Sequence, residues 1–336
     1  MNLSFKAKTK LSKDKNCLGL DVGTSTIKIV KLKLLDEGVQ LVSLSLEPAQ
    51  ADLKPIIESL GTKCINMSSS GPGAIIRYVN FPKMNIAELR QALKFEAQKY
   101  IPFPIAEINL DSYILRDDLP DNKMLVLLAA AKKEFVNQRL KLLENTSSKV
   151  NIIDIDSIAL VNAFNFNYSQ EETVLNKTVA LLNIGSSFSN LNILESGMPR
   201  LSRDIHIAGN NITQRIADNL GIEQKAAEEL KINPDKERLE RVVAAGEFIF
   251  SSLASELRTS FDYYESQGSS TVGRIFLSGG GSLFMGAKDI LANLLGIEIV
   301  CWDPFKNISL PEDIDFEKRK VSPSQLAVAV GLALHP

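Results

Sequence analysis

Apolar positions along this chain fall into short units whose period shifts from strand-like to helical in a recurring order. Leu18 to Val30 reads as an apolar strand that turns at Gly23 and returns as a second strand, and Asp36-Glu37-Gly38 then leads into a third from Val39 to Leu46. About 160 residues later the pattern repeats. Val179 to Ile184 enters a turn at Gly185-Ser186-Ser187, Leu191 to Leu194 leaves it, and Glu195-Ser196-Gly197 opens a further strand from Pro199 to Ile205. Two copies of one strand-turn-strand-strand cassette predict a duplicated two-lobe α/β fold.

Between the copies, Leu53 to Leu60 predicts a short helix, and Cys64 to Met67 a strand running into the breaker Ser68-Ser69-Ser70-Gly71-Pro72-Gly73. Ala74 to Phe81 is again extended. Asn85, with Glu88 three residues on, caps a helix carrying Ile86, Leu89, Leu93, Ala97 and Tyr100, which Pro102 and Pro104 stop. Strands from Ile108 to Leu115 and Met124 to Ala130 and a helix from Lys133 to Asn145 complete a β-α-β-β-α module inserted over 70–149. A strand from Val150 to Ile155 and a helix from Asp156 to Phe166 lead to the second cassette. Beyond it come helices capped at Asn210-Asn211 and closed at Gly221, from Glu223 to Lys231, and from Leu239 to Tyr264. A buried strand Arg274 to Leu277, a loop Ser278 to Ser282, a helix Met285 to Leu295 and an Ala-rich helix Gln325 to Leu334 finish the chain. The expected organisation is a tail over 1–15, a first lobe over 16–69 and the module over 70–149. A connecting strand and helix over 150–176, a second lobe over 177–322 and a terminal helix over 323–336 follow.

Composition narrows the function. With 45% hydrophobic and 23% charged residues the 336-residue chain is that of a globular protein, and a net charge of −2 supplies no basic field for nucleic acid. Three scattered cysteines, Cys17, Cys64 and Cys301, indicate neither a disulfide framework nor a zinc site and fit a reducing cytoplasm. No apolar run approaches the length needed to span a bilayer, and no signal peptide is evident. Lys6, Lys8, Lys10, Lys13 and Lys15 make the first fifteen residues a solvated basic tail. The two histidines, His206 and His335, are too few for a histidine-based hydrolase or metal site and read as structural.

Three loops carry candidate chemistry. Gly23-Thr24-Ser25 and Gly185-Ser186-Ser187 combine backbone freedom with small hydroxyls, the composition of an anion-holding turn. Asp21, ending the strand before the first turn, is placed to hold a hydrated magnesium ion. Gly279-Gly280-Gly281 lets a phosphate or a flat purine ring approach the backbone.

These elements in this order resemble the actin-like ATPase superfamily of ribonuclease H-like folds, which includes actin, sugar kinases, heat-shock chaperone ATPases and bacterial FtsA. The first cassette resembles its phosphate-one motif, Asn183 to Ser187 its phosphate-two motif, and Leu277 to Ser282 its adenosine motif. The inserted module sits where FtsA-like proteins carry their distinctive subdomain. Within that branch, Arg77-x-x-x-Phe81-Pro82-x-Met84 and Glu96-x-x-x-Tyr100-Ile101-Pro102-Phe103 resemble the PilM family of type IV pilus assembly proteins. So do Arg200, Gly209-Asn210-Asn211-Ile212-Thr213, Ala227-Glu228-x-x-Lys231 and Glu256-Leu257-Arg258.

The resemblance implies ATP or ADP with Mg2+ between the lobes. Lys28, Gly209 and Asn210 would join the phosphate turns, Glu228 and Lys231 would lie near the ribose or base, and Asp21 and Asn183 would occupy the catalytic positions. It further implies a cytoplasmic scaffold held at the inner membrane by the N-terminal peptide of a PilN-type single-span protein, with pilus assembly ATPases as further partners. That peptide is expected between module and first lobe, against Phe81, Pro82, Met84, Tyr100, Pro102 and Phe103. Two departures matter. Asn183 stands where the superfamily usually has Asp, and an amide is no carboxylate base, so hydrolysis is expected to be slow or absent. The chain also ends two residues past the Ala-rich helix, without the membrane-targeting helix of FtsA. The rival readings are an FtsA-like or filament-forming protein and a kinase of the same fold using Asp154 or Asp156.

Overall fold

A computed structural model describes residues 16–62, 64–69, 71–268 and 270–335; the lysine-rich tail lies outside the described residues. The first cassette forms β1 (Asn16–Val22), β2 (Thr26–Leu35) and β3 (Gly38–Pro48), followed by α1 (Leu53–Leu60) and β4 (Cys64–Ser69). The module comprises β5 (Ala74–Pro82), α2 (Ile86–Glu96), β6 (Ile108–Leu119), β7 (Lys123–Lys132) and α3 (Lys133–Lys141). Then come β8 (Lys149–Ile155), α4 (Asp156–Tyr168), α5 (Glu172–Leu175), β9 (Thr178–Ile184), β10 (Ser189–Glu195) and β11 (Met198–Ile205). The remainder is α6 (Gly209–Leu220), α7 (Gln224–Ile232), α8 (Leu239–Ser266), β12 (Val272–Ser278), α9 (Ala287–Leu295), β13 (Glu298–Cys301) and α10 (Ala327–Ala333).

The internal repeat is realised in the sheets. One five-stranded sheet has the order β3-β2-β1-β4-β8 and the other β11-β10-β9-β12-β13, so each cassette strand has a counterpart in the same place. In both, the cassette hairpins are antiparallel, and the next two strands pair parallel on the other side of the first. The module has its own three-stranded antiparallel sheet, β5-β7-β6.

Helices α4 and α10 join the lobes. Small residues let the backbones around them nearly touch: a Cβ at Gly331 of α10 would stand 1.8 Å from the Ala159 carbonyl oxygen on α4, and one at Gly19 of β1 2.0 Å from that of Ala329. Around them lies one core drawing Val30, Leu32 and Leu44 from the first sheet and Val179, Leu181 and Phe276 from the second. Phe164 on α4 is fully buried at its centre, with Phe276 at 4.7 Å and Trp302 at 5.4 Å edge-on. Burying such a ring contributes about 1.5–3 kcal/mol and each aromatic pair about 0.5–1.5 kcal/mol more.

Asn85 caps α2 as expected, its side chain accepting from Ala87 and Glu88 while Glu88 returns a bond to the Asn85 amide. Three of the departures from expectation have a clear local cause. Helix α3 stops at Lys141, where Leu142 to Thr146 tightens into successive turns. Asn210 and Asn211 lie inside the first turn of α6, whose N-cap is Ala208; the Asn211 side chain reaches back to accept from the Ala208 amide. Helix α9 begins at Ala287 because Gly286 turns left-handed at φ +75°.

Candidate functional site

The two cassette turns are built alike. The Gly23 amide donates to the Thr26 carbonyl at 3.1 Å, and the Gly185 amide to that of Phe188 at 3.1 Å. A Cβ would meet the same carbonyls, at 2.7 Å in the first turn and 2.8 Å in the second, so both turns require glycine. They face one another across the lobes. The Thr24 hydroxyl lies 2.6 Å from that of Ser186 and 2.8 Å from that of Ser187, while Ser25 is exposed beside it.

Behind each turn runs a lateral row of polar side chains, one per strand. In the first lobe Asp21 pairs in register with Lys28, whose ammonium is 3.0 Å from the carboxylate. On the other side the Ser68 hydroxyl donates to Asp21 at 3.4 Å, and Ser68 is in register with Asp154. In the second lobe the equivalent row is Ser278, Asn183, Asn190 and Asp204 on β12, β9, β10 and β11. Ser278 donates to the Asn183 oxygen at 3.2 Å, the Asn183 amide to Asn190 at 3.5 Å, and Asn190 to Asp204 at 2.5 Å. Ser68 and Ser278 are thus counterparts, as are Asp21 and Asn183. Burial raises the Asp204 carboxyl above the usual carboxylate range, against the pull of the Asn190 hydrogen bond and nearby His206. Asp204 was not among the expected site residues; only the register brings it behind Asn183.

Gly209, Asn210, Glu228 and Lys231 gather beside the second turn. The Gly209 amide donates to the Gly185 carbonyl at 3.0 Å and the Asn210 amide to that of Ser186 at 2.7 Å, fastening the start of α6 to the turn. The Asn210 side-chain amide reaches the Ser187 hydroxyl at 3.3 Å. From α7, the Lys231 ammonium donates to Glu228 at 2.6 Å, to Thr213 at 2.9 Å and to the Gly209 carbonyl at 3.3 Å. The loop Gly279 to Gly281 has a packing reason as well. A Cβ at Gly279 would stand 2.3 Å from the Ile184 carbonyl oxygen, and one at Gly281 2.3 Å from the Ile184 side chain. Gly280 is less constrained, with only Gln325 at 3.6 Å.

A cavity of about 1390 Å³ opens elsewhere, and no residue of either cassette turn lines it. Its walls are Asn109 to Tyr113 of β6 and part of β7 from the module, Val150 to Ile155 of β8 with one side of α4, the Ser196-Gly197 turn of the second lobe, and His335. The six residues expected to face a partner, Phe81, Pro82, Met84, Tyr100, Pro102 and Phe103, are absent from its lining. Phe81 is buried in the module's own core, with Tyr100 edge-on at 5.7 Å and Met84 packed alongside. Phe103 packs on Ile101 and Ile108, with the Lys132 ammonium over its ring, while Pro82 and Pro102 are exposed. Of the two carboxylates considered for a kinase, Asp156 is buried in the first turn of α4 and Asp154 lines the cavity.

Sequence comparison matches residues 19–336 to the family described as type IV pilus assembly protein PilM. Among solved structures, a PilM-PilN type IV pilus biogenesis complex is similar, with 25% identity and a TM-score of 0.81 over 95% of this chain and 97% of that one. The ethanolamine utilization protein EutJ from Carboxydothermus hydrogenoformans shares the fold, with 14% identity and a TM-score of 0.51 over 96% and 90% of the two chains.

Proposed function

The chain belongs to the type IV pilus assembly protein PilM family and has its actin-like fold, and from that premise we propose an ATP-binding scaffold that recruits the cytoplasmic N-terminal peptide of a PilN-type single-span membrane protein. The observation that carries the nucleotide half is the contact of Thr24 with Ser186 and Ser187, which puts two glycine turns of phosphate-holding composition face to face. Glycine is required at both turns by their own backbones, and the hydroxyls at their tips turn towards each other. Parted by a triphosphate, the two turns would supply its hydrogen-bond donors. When bound, ATP would supply the anionic charge that these donors lack.

Asp21 is the cassette carboxylate, and a magnesium ion that keeps most of its waters needs little more from the protein. Lys28 shares that carboxylate, so the ion would compete with it. Among the described residues no group of three or more His, Cys, Asp or Glu is gathered for a fully protein-made metal site. Asn183, held between Ser278 and Asn190, neither takes a proton nor adds charge, so hydrolysis is slow. Gly280 is the loop glycine left free to approach an adenosine.

The peptide half rests on the cavity. It exceeds the roughly 300–1,000 Å³ of ordinary small-molecule pockets, and two sheet edges, β6 and β8, line it. An extended peptide can pair with such an edge through its main chain while alternate side chains enter the pocket. One similar structure is a PilM-PilN complex. No described helix is long and apolar enough to cross a membrane, so the partner's span would hold this scaffold at the inner membrane. Isothermal titration with Mg-ATP, and anisotropy with a labelled peptide of the neighbouring single-span gene product's first dozen residues, test the two halves separately. Micromolar binding of each is expected; a folded protein that binds neither ATP nor ADP, or ignores the peptide, would refute the corresponding half.

A further inference from the structure

The cavity is mostly apolar, with Leu140, Ile152, Ile158 and Phe166 in its walls, yet two acids, Asp111 and Asp154, lie along it and no lysine or arginine does. Asp154 is the uncompensated one. Its Oδ1 accepts from the Ile155 amide at 2.7 Å, but its Oδ2 is inaccessible to solvent and has no hydrogen-bond partner. Among the described residues the one basic side chain within 4.0 Å of it is the His335 ring, whose Nε2 is at 4.0 Å, beyond hydrogen-bond reach, and whose Nδ1 is also without a partner. Burial holds that imidazole below its ordinary value, so it stays neutral at neutral pH and offers Asp154 no counter-charge. The titratable groups along the lining are Asp111 and Tyr113 on β6, Asp154 on β8 and His335 after α10, and none is a cation at that pH.

An ionised carboxylate in this position either takes a proton or waits for a cation, because leaving it bare costs several kcal/mol. Resting on the peptide reading above, we propose that the cavity selects a segment carrying a lysine or arginine, whose charged end reaches the partly exposed Asp154 carboxylate while its stem lies along the apolar wall. The chemistry suits both ends of that side chain. A charge-assisted hydrogen bond is among the stronger polar contacts, and the methylene stem buries readily against Ile152 and Ile158. Without a ligand, burial pushes the Asp154 carboxyl up to about 7, so a cationic side chain entering at lower pH must displace its proton.

The test uses the full chain and C-terminally labelled peptides. The probe is the first dozen residues of the neighbouring single-span protein, compared with the same peptide in which every lysine is norleucine and every arginine citrulline. Against the unmodified protein, the neutralised peptide should bind about tenfold or more weakly, and affinity for the native peptide should rise between pH 6 and pH 8 while that for the neutral one stays level. Asp154→Asn should lose a similar factor for the native peptide and cease to distinguish the two. Equal binding of both peptides by the unmodified protein, persistent discrimination by Asp154→Asn, or a native peptide without lysine or arginine would overturn the proposal. The peptide comparison on the unmodified protein stands whether or not the variant folds. Failure of the native peptide to bind at all would instead remove the peptide reading and this proposal with it, whereas binding indifferent to charge removes the cation assignment alone.

Discussion

Asn183 illustrates how much a single atom decides. Its oxygen accepts from Ser278 and its amide donates to Asn190, so it holds the row together without offering a base. Asn183→Asp places a carboxylate there at the cost of that donor, and a positioned general base is worth about 10²–10⁴-fold. Phosphate release with Mg-ATP should therefore rise by about tenfold or more, and a wild type that already turns over as fast as the variant would contradict the role assigned to Asn183. Asp154 supports a second prediction, from pH. Its folded carboxyl is raised to about 7 and its unfolded one is near 4, so the folded state holds a proton that the unfolded state lacks between those values. Stability on this account falls as pH rises from about 4 to about 7 and is level above. His335, lowered by burial, works oppositely and loses stability as pH falls through its unfolded value near 6.5. The melting difference between Asp154→Asn and wild type cancels the histidine and should grow from near zero at pH 4.5 to its largest above pH 7. Asp21, Asn183 and the turn glycines could be singled out as candidates because each polar residue stands near a strand end two positions before a turn glycine. Asp204 was not, since nothing linear links it to Asn183; it becomes a neighbour once β10 and β11 take their register.

At the scale of elements, long periodic segments were legible and short ones were hidden by their context. Helix α1 runs from Leu53 to Leu60 as its period predicts, because Asp52 caps it and Gly61 closes it left-handed. Helix α5 and strand β13, of four residues each, carry no period to read and exist because their neighbours pair or pack with them. Helix α10 was legible as Ala-rich, but not the reason for its small residues, which lies in another element. The Ala159 carbonyl on α4 occupies the space a side chain at position 331 would need. No rotamer relieves a clash of 1.8 Å between a Cβ and backbone, so Gly331→Ala should cost at least the top of the usual overpacking range, about 3 kcal/mol, in chemical denaturation. Asn85→Ala, which removes a surface capping box, should cost about 1 kcal/mol. A reversed order of the two would show that the α4 to α10 crossing yields more easily than the close packing implies.

Across the whole molecule, duplication in the sequence becomes two sheets of matching order around a shared core, with the two glycine turns brought together where the lobes face each other. The two-lobe duplication followed from the repeat; the strand orders and the shared core did not. The large cavity did not either, because it is made of four separate pieces of chain: the module, β8 with α4, Leu334 and His335 after α10, and a turn of the second lobe that Asn165 ties to α4 through the Gly197 carbonyl at 3.1 Å. The contact of Thr24 with Ser186 and Ser187 allows nucleotide binding to be separated from stability. It joins exposed, neutral hydroxyls, so Thr24→Ala should leave the denaturation free energy within about 0.5 kcal/mol of wild type. In the nucleotide complex the same hydroxyl would donate to a charged phosphate, an interaction worth about 1.5–3 kcal/mol, or roughly ten- to a hundredfold in affinity. Calorimetric titration of wild type and Thr24→Ala with Mg-ATP, beside melts of both proteins with and without nucleotide, reads the two effects independently. At a ligand concentration of 100 Kd, wild type should gain about 2.7 kcal/mol, and the variant at that same concentration distinctly less. An unchanged ATP affinity in Thr24→Ala would mean that the turns meet for packing alone and that the nucleotide, if held, is held elsewhere.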